Sequence, residues 1–118
     1  MLDNCRYDID GFISELEIEL EEAKELYKSY ETEMNEEIEE MEQLCSAKEY
    51  EKLQRVVHNV KGVSANLRIN DVYEAAADFD TKLKNGVTSS ADANVAYLVL
   101  RIKDSILEIK EFFKVKGL

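Results

Sequence analysis

The sequence predicts an all-α protein, an antiparallel up-down four-helix bundle, on three observations. Its 118 residues hold no proline and only four glycines, so helix breakers are scarce. Apolar residues recur at steps of three and four, the spacing that lines one helix face. The interruptions are short, and long amphipathic stretches joined by short turns pack as antiparallel neighbours. A single domain over residues 1–118 is expected, since a chain of this length supports one small core.

The elements follow in order. Ile9, Phe12, Ile13 and Leu16 stand at i, i+3, i+4 and i+7, a helical stripe behind Asp8 or Asp10 as cap. The stripe continues through Leu20, Ala23, Tyr27, Tyr30, Met34, Ile38, Met41 and Cys45. No breaker stands between Phe12 and Leu44, so one long helix and a short extra N-terminal helix before a bend both fit. Ser46 with Glu49 resembles a capping box that would start the next helix. That helix turns Tyr50, Leu53, Val57, Val60, Ser64 and Leu67 inward. Asn70 or Asp71, with Glu74, is expected to cap a third helix carrying Val72, Ala76, Phe79 and Leu83. Asn85-Gly86 closes it, and Thr88-Ser89-Ser90 with Asp92 opens the last. There Ala91, Val95, Leu98, Ile102, Ile106, Ile109 and Phe113 repeat over six turns.

Charge narrows the classes of partner. The net charge is −11, and residues 1–51 hold 18 acids against 4 bases while residues 52–118 hold 8 against 11. An acidic first half argues against nucleic acid or an anionic membrane as partner. The Glu-rich outer face from Glu31 to Glu42 reads as solvated surface. Cys5 and Cys45 lack metal-ligand or redox spacing and suit a reducing cytosol. The N-terminus lacks a signal-peptide pattern, and the longest apolar run, Val95 to Leu100, is too short for a membrane span. A cytoplasmic monomer is expected.

The chemistry concentrates around His58, the chain's single histidine. On a helical wheel with His58 at 0°, Leu53, Val56, Val57, Val60, Ser64 and Leu67 fall between about 160° and 260°. His58 stands almost opposite this core face. Lys61 and Gly62 flank it at about −60° and +40°, with Ala65 near −20°. A helix-interior glycine costs about 0.8–1 kcal/mol relative to alanine, so an exposed one suggests that something approaches closely. Ser64 lies on the inner wall as a packing residue, with no group spaced to activate it.

The run His58-x-x-Lys61-Gly62-x-Ser64-Ala65-Asn66-Leu67 resembles the signature of histidine-containing phosphotransfer (HPt) domains, helical modules that carry a phosphoryl group between receiver domains. Two positions depart from the family's pattern: Val63, where a small residue is usual, and Arg68, where glycine is usual. The resemblance implies His58 as phosphoacceptor, Lys61 as the cation that stabilises the phosphoryl charge and Gly62 as the opening for a partner. Arg55, Ala65, Arg68, Asp80 and Lys84 complete the expected binding surface. Asp80 and Lys84 enter because the third helix turns back along the second and brings residues around 80–82 level with His58. Asp78 and Lys82 lie on its other flank.

The chain contains no glycine-rich phosphate loop and no metal-ligand cluster. The expectation is therefore a carrier and not an enzyme, without a cofactor of its own, any Mg2+ belonging to the receiver. Its partners would be the receivers of response regulators and of a hybrid histidine kinase. The rival readings are a helical scaffold binding through its acidic face, and a degenerate HPt domain that docks receivers without transfer.

Overall fold

A computed structural model describes residues 5–118, all helix and turn. Residues 1–4, part of the stretch read for a signal pattern, lie outside the described residues. Five helices follow in order: α1 (Ile9–Leu16), α2 (Leu20–Ser46), α3 (Tyr50–Asn66), α4 (Asn70–Lys84) and α5 (Ala91–Val115). The last four pack in a closed antiparallel ring, α2 on α3, α3 on α4, α4 on α5 and α5 on α2. The α3–α4 face of the ring is thereby opposite its α2–α5 face.

The predicted stripes are the core. Tyr27, Tyr30, Met34, Ile38 and Met41 of α2 meet Leu53, Val57 and Val60 of α3, with Val72, Ala76 and Phe79 of α4 and the α5 stripe closing the interior. Leu16 is the exception, half exposed at the end of α1. The helices α2 and α5, 27 and 25 residues long, outrun α3 and α4, of 17 and 15. The short α1 covers the end left over. Phe12 packs edge-on against Tyr27, whose ring also meets Phe113, while the Tyr27 hydroxyl donates to the Leu67 carbonyl at the α3–α4 turn.

All five helices end the same way. The residue after the last turn is left-handed, its N–H bonds three residues back, and the next N–H reaches five residues back: Ile18 to Ile13, Glu49 to Leu44, Ile69 to Ser64, Val87 to Lys82 and Leu118 to Phe113. These paired bonds satisfy the last carbonyls of each helix. Glycine supplies the left-handed residue at Gly86 and Gly117, but Glu17, Lys48 and Arg68 do so at the others, with φ of 54°, 59° and 62°. Glu17 therefore divides α1 from α2, and the chain has the short extra helix.

The helix starts differ from expectation in three places. Ser46 ends α2 instead of capping α3, because the stop at Lys48 lies beyond it, and Glu49 takes the cap position without a side-chain bond. Buried Ile69, not Asn70 or Asp71, precedes α4. Asp71 is engaged elsewhere, accepting from the Tyr7 hydroxyl at 2.9 Å and from the Val72 N–H. Ser90 precedes α5 without a side-chain cap, and Asp92 accepts from the Cys45 thiol at 3.1 Å. At the first helix, Asp8 caps as expected by accepting from the Gly11 N–H.

Candidate functional site

The α3 wheel becomes a three-dimensional arrangement once α4 lies alongside. Because Leu53, Val57 and Val60 are drawn into the core, His58 is turned outward and its side chain is 58% exposed. One turn on, a Cβ added at Gly62 would meet nothing within 4 Å. No neighbouring helix crosses near Gly62, so packing does not account for the glycine.

The helix α4 brings Asp80 to the ring. Its Oδ2 lies 3.3 Å from His58 Nδ1, 3.3 Å from Lys61 Nζ and 3.4 Å from Lys84 Nζ. Its Oδ1 accepts from Gln54 Nε2 at 2.6 Å. Asp80 was expected on the flank of α4; it is instead 1% exposed, sunk into the groove between α3 and α4. Burial acts to raise its pKa, yet the bonds from Gln54, His58, Lys61 and Lys84 outweigh it and hold the carboxyl down at about 2. A carboxylate this deep in the protein stays ionised because every donor around it is aimed at it.

Gln54 was not anticipated. The signal was available, because the wheel puts it at about −40°, between His58 and Lys61, one turn before the histidine. Only the partner on α4 gives that position meaning. The other side of the ring is acidic: Asn59, next to His58, donates to Glu33 at 2.8 Å and to Glu37. Burial in this strip raises the Glu37 pKa, Asn59 working against it.

The remaining expected residues fall away from this group. Arg55 is exposed and pairs with Glu51 at 3.8 Å; Ala65 is exposed on the same helix. Arg68 is drawn toward α1, paired with Glu15 and with its guanidinium over the Phe12 ring. Its position demands a left-handed backbone, with φ of 62°. That requirement explains why glycine is usual there. Val63 is half-buried and packs against the core. Ser64 is fully buried, its hydroxyl donating to the Val60 carbonyl at 2.7 Å, which leaves it no role as a nucleophile. Burial pushes the Cys45 thiol up to about 11, with the Asp92 carboxylate adding to it, so this sulfur is inert as a thiolate. Among the described residues no cluster of histidine, cysteine or carboxylate side chains could hold a metal ion. No helix among them is long and apolar enough to cross a membrane.

The group joins an exposed imidazole with one nitrogen tethered, two ammonium groups on the tethering carboxylate and open space along the helix. The family model of the Hpt domain matches residues 25–112, all four helices of the ring. The chain belongs to the Hpt domain family, whose members act in histidine phosphotransfer within phosphorelays. No curated protein and no solved structure matches it.

Proposed function

We propose that this protein accepts a phosphoryl group on His58 Nε2 from the aspartyl phosphate of a receiver domain and passes it to the aspartate of another. The observation that carries this reading is the hydrogen bond between His58 Nδ1 and buried Asp80. A carboxylate can only accept, so Nδ1 carries the proton and the lone pair of a neutral ring sits on Nε2. That lone pair attacks phosphorus while the bond to the donor's carboxylate oxygen breaks. The products are a phosphoramidate on Nε2 and a free aspartate, and transfer onward is the same step reversed. The phosphorylated ring keeps its Nδ1 proton, and Asp80 offsets the positive character the ring acquires.

A carboxylate this near a phosphoryl group would ordinarily repel it. At an effective dielectric of about 20 and a separation of about 6 Å, that repulsion is roughly 3 kcal/mol per charge. Lys61 and Lys84, both on Asp80 Oδ2, cancel it and supply ammonium groups for the phosphoryl oxygens. Gly62 leaves the donor's backbone room to approach. The chain supplies a nucleophile and its electrostatic setting; the metal ion and the reactive aspartate belong to the receiver. Partners are the receivers of a hybrid kinase and of a response regulator, met in the cytosol by a monomer.

The test is incubation with phosphorylated receivers and a His58→Gln variant. The parent takes up acid-labile label. The variant takes up none, yet keeps its helical signal, since the exposed side chain leaves the core untouched and Gln54, Lys61 and Lys84 still meet Asp80. Label retained by the variant overturns the reading, and binding of receivers without label in the parent favours a docking-only protein.

A further inference from the structure

We infer that the groove between α2 and α5, on the face opposite His58, is a binding site for an amphipathic carboxylate of the fatty-acid class. This inference is independent of the phosphotransfer reading. The groove encloses about 540 Å3, within the range of small-molecule sites, about 300–1,000 Å3. Its floor is Tyr27 and Tyr30 of α2 with Ile106, Ile109 and Phe113 of α5. The Tyr27 hydroxyl is spent on the Leu67 carbonyl and the Tyr30 hydroxyl on Ser105 at 2.8 Å. Both phenols thus have their polar ends satisfied within the protein, and the floor offers carbon to a ligand.

The rim is cationic in a strongly acidic chain. Lys24 and Lys28 stand on the α2 side, Lys110 and Lys114 on the α5 side, against one carboxylate side chain, Glu31, among the described lining residues. Glu31 is taken by Lys110 at 2.9 Å, and Lys24 donates to the Leu118 carbonyl at 2.7 Å. Lys28 lines the groove from α2 and Lys114 from α5, with no ion pair to either among the described residues. Two unpaired ammonium groups over an apolar floor ask for an anion that carries an apolar tail.

The small exposure of the floor decides between candidate occupants. Every floor side chain is under 10% exposed, so only a little apolar surface is open between α2 and α5. A partner helix, about 10–12 Å across with its side chains, needs a broader apolar face than this. A single alkyl chain needs far less apolar surface, and Lys28 and Lys114 supply the charge for its carboxylate.

The experiment is an amide-shift NMR titration of the full chain with decanoate, octanoate, decanol and decyltrimethylammonium, each below its aggregation threshold. Decanoate is expected to shift Tyr27, Tyr30, Ile109 and Phe113 and to bind about tenfold tighter than octanoate, two methylenes shorter. Lys28→Gln with Lys114→Gln should weaken decanoate about tenfold and leave decanol unchanged. Both lysines are exposed and unpaired, so the double variant folds. Decanol or the cationic amphiphile binding as tightly as decanoate overturns the inference. So do shifts scattered over the surface, an unaffected double variant, or an acidic helical peptide that fills the groove where decanoate does not.

Discussion

The helix α4 carries two Asp-Lys pairs of identical spacing, and they differ in nearly everything else. Asp78 and Lys82 meet at 3.0 Å with the carboxylate 65% exposed. Asp80 and Lys84 meet at 3.4 Å with the carboxylate 1% exposed, and Gln54, His58 and Lys61 converge on it from α3. The first is a surface ion pair of the kind worth a few tenths of a kcal/mol on a helix. The second is a buried charge held by four donors, His58 Nδ1 among them. Two residues along one helix separate a solvated pair from a site, and the neighbouring helix makes the difference.

Removing the carboxylates should separate the pairs most sharply. In Asp80→Ala the ring loses its tether and Lys61, Lys84 and Gln54 lose their acceptor. Transfer to His58 should fall on the order of 100-fold, and unfolding by denaturant should show a loss of about 1–3 kcal/mol. Asp80→Asn keeps an acceptor oxygen for Nδ1–H and should recover much of the rate. Asp78→Ala should change rate and stability hardly at all; a comparable loss there would erase the distinction.

Gly62→Gln probes the open side of the same site. Its added side chain should slow transfer about tenfold, at a cost of roughly 1.4 kcal/mol in the barrier. It should also stabilise the helix by up to about 1 kcal/mol, because a glycine leaves the helix interior. A stabilised variant with the parent's rate would show that approach to His58 does not run past Gly62.

Acid should discriminate between the aspartates more gently. The folded Asp80 carboxyl titrates at about 2, below its ordinary 3.8, so its contribution to stability is complete above about pH 4 and is lost as pH falls toward 2. The shift corresponds to about 2 kcal/mol. The stability gap between the parent and Asp80→Asn should narrow by that amount between pH 5 and pH 2. A gap that stays constant would contradict the buried, fourfold-bonded carboxylate.

The same contrast explains what the sequence disclosed. His58, Lys61 and Gly62 were legible because one helix's periodicity sufficed to turn them away from Leu53, Val57 and Val60. The bundle was legible because its stripes are long. Asp80 and Lys84 were reached by folding the chain back at the α3–α4 turn, although the depth of Asp80 was not. Gln54 escaped because a glutamine has no pattern of its own until an acceptor on another helix faces it. Asn85-Gly86 announced the end of α4, but the left-handed residues that stop α1, α2 and α3 escaped for a local reason. Glu17, Lys48 and Arg68 hold left-handed backbone where glycine or asparagine would have announced it. At Arg68 the contacts with Glu15 and Phe12 offset that cost.

The central claim is that Asp80 holds the Nδ1 proton and leaves Nε2 to take phosphate. Nitrogen-15 and phosphorus NMR of the protein, labelled at its one histidine and phosphorylated by a receiver, tests it most directly. The account predicts a phosphorus coupled to Nε2, with Nδ1 still protonated. Phosphate on Nδ1, or on any residue other than His58, would contradict it.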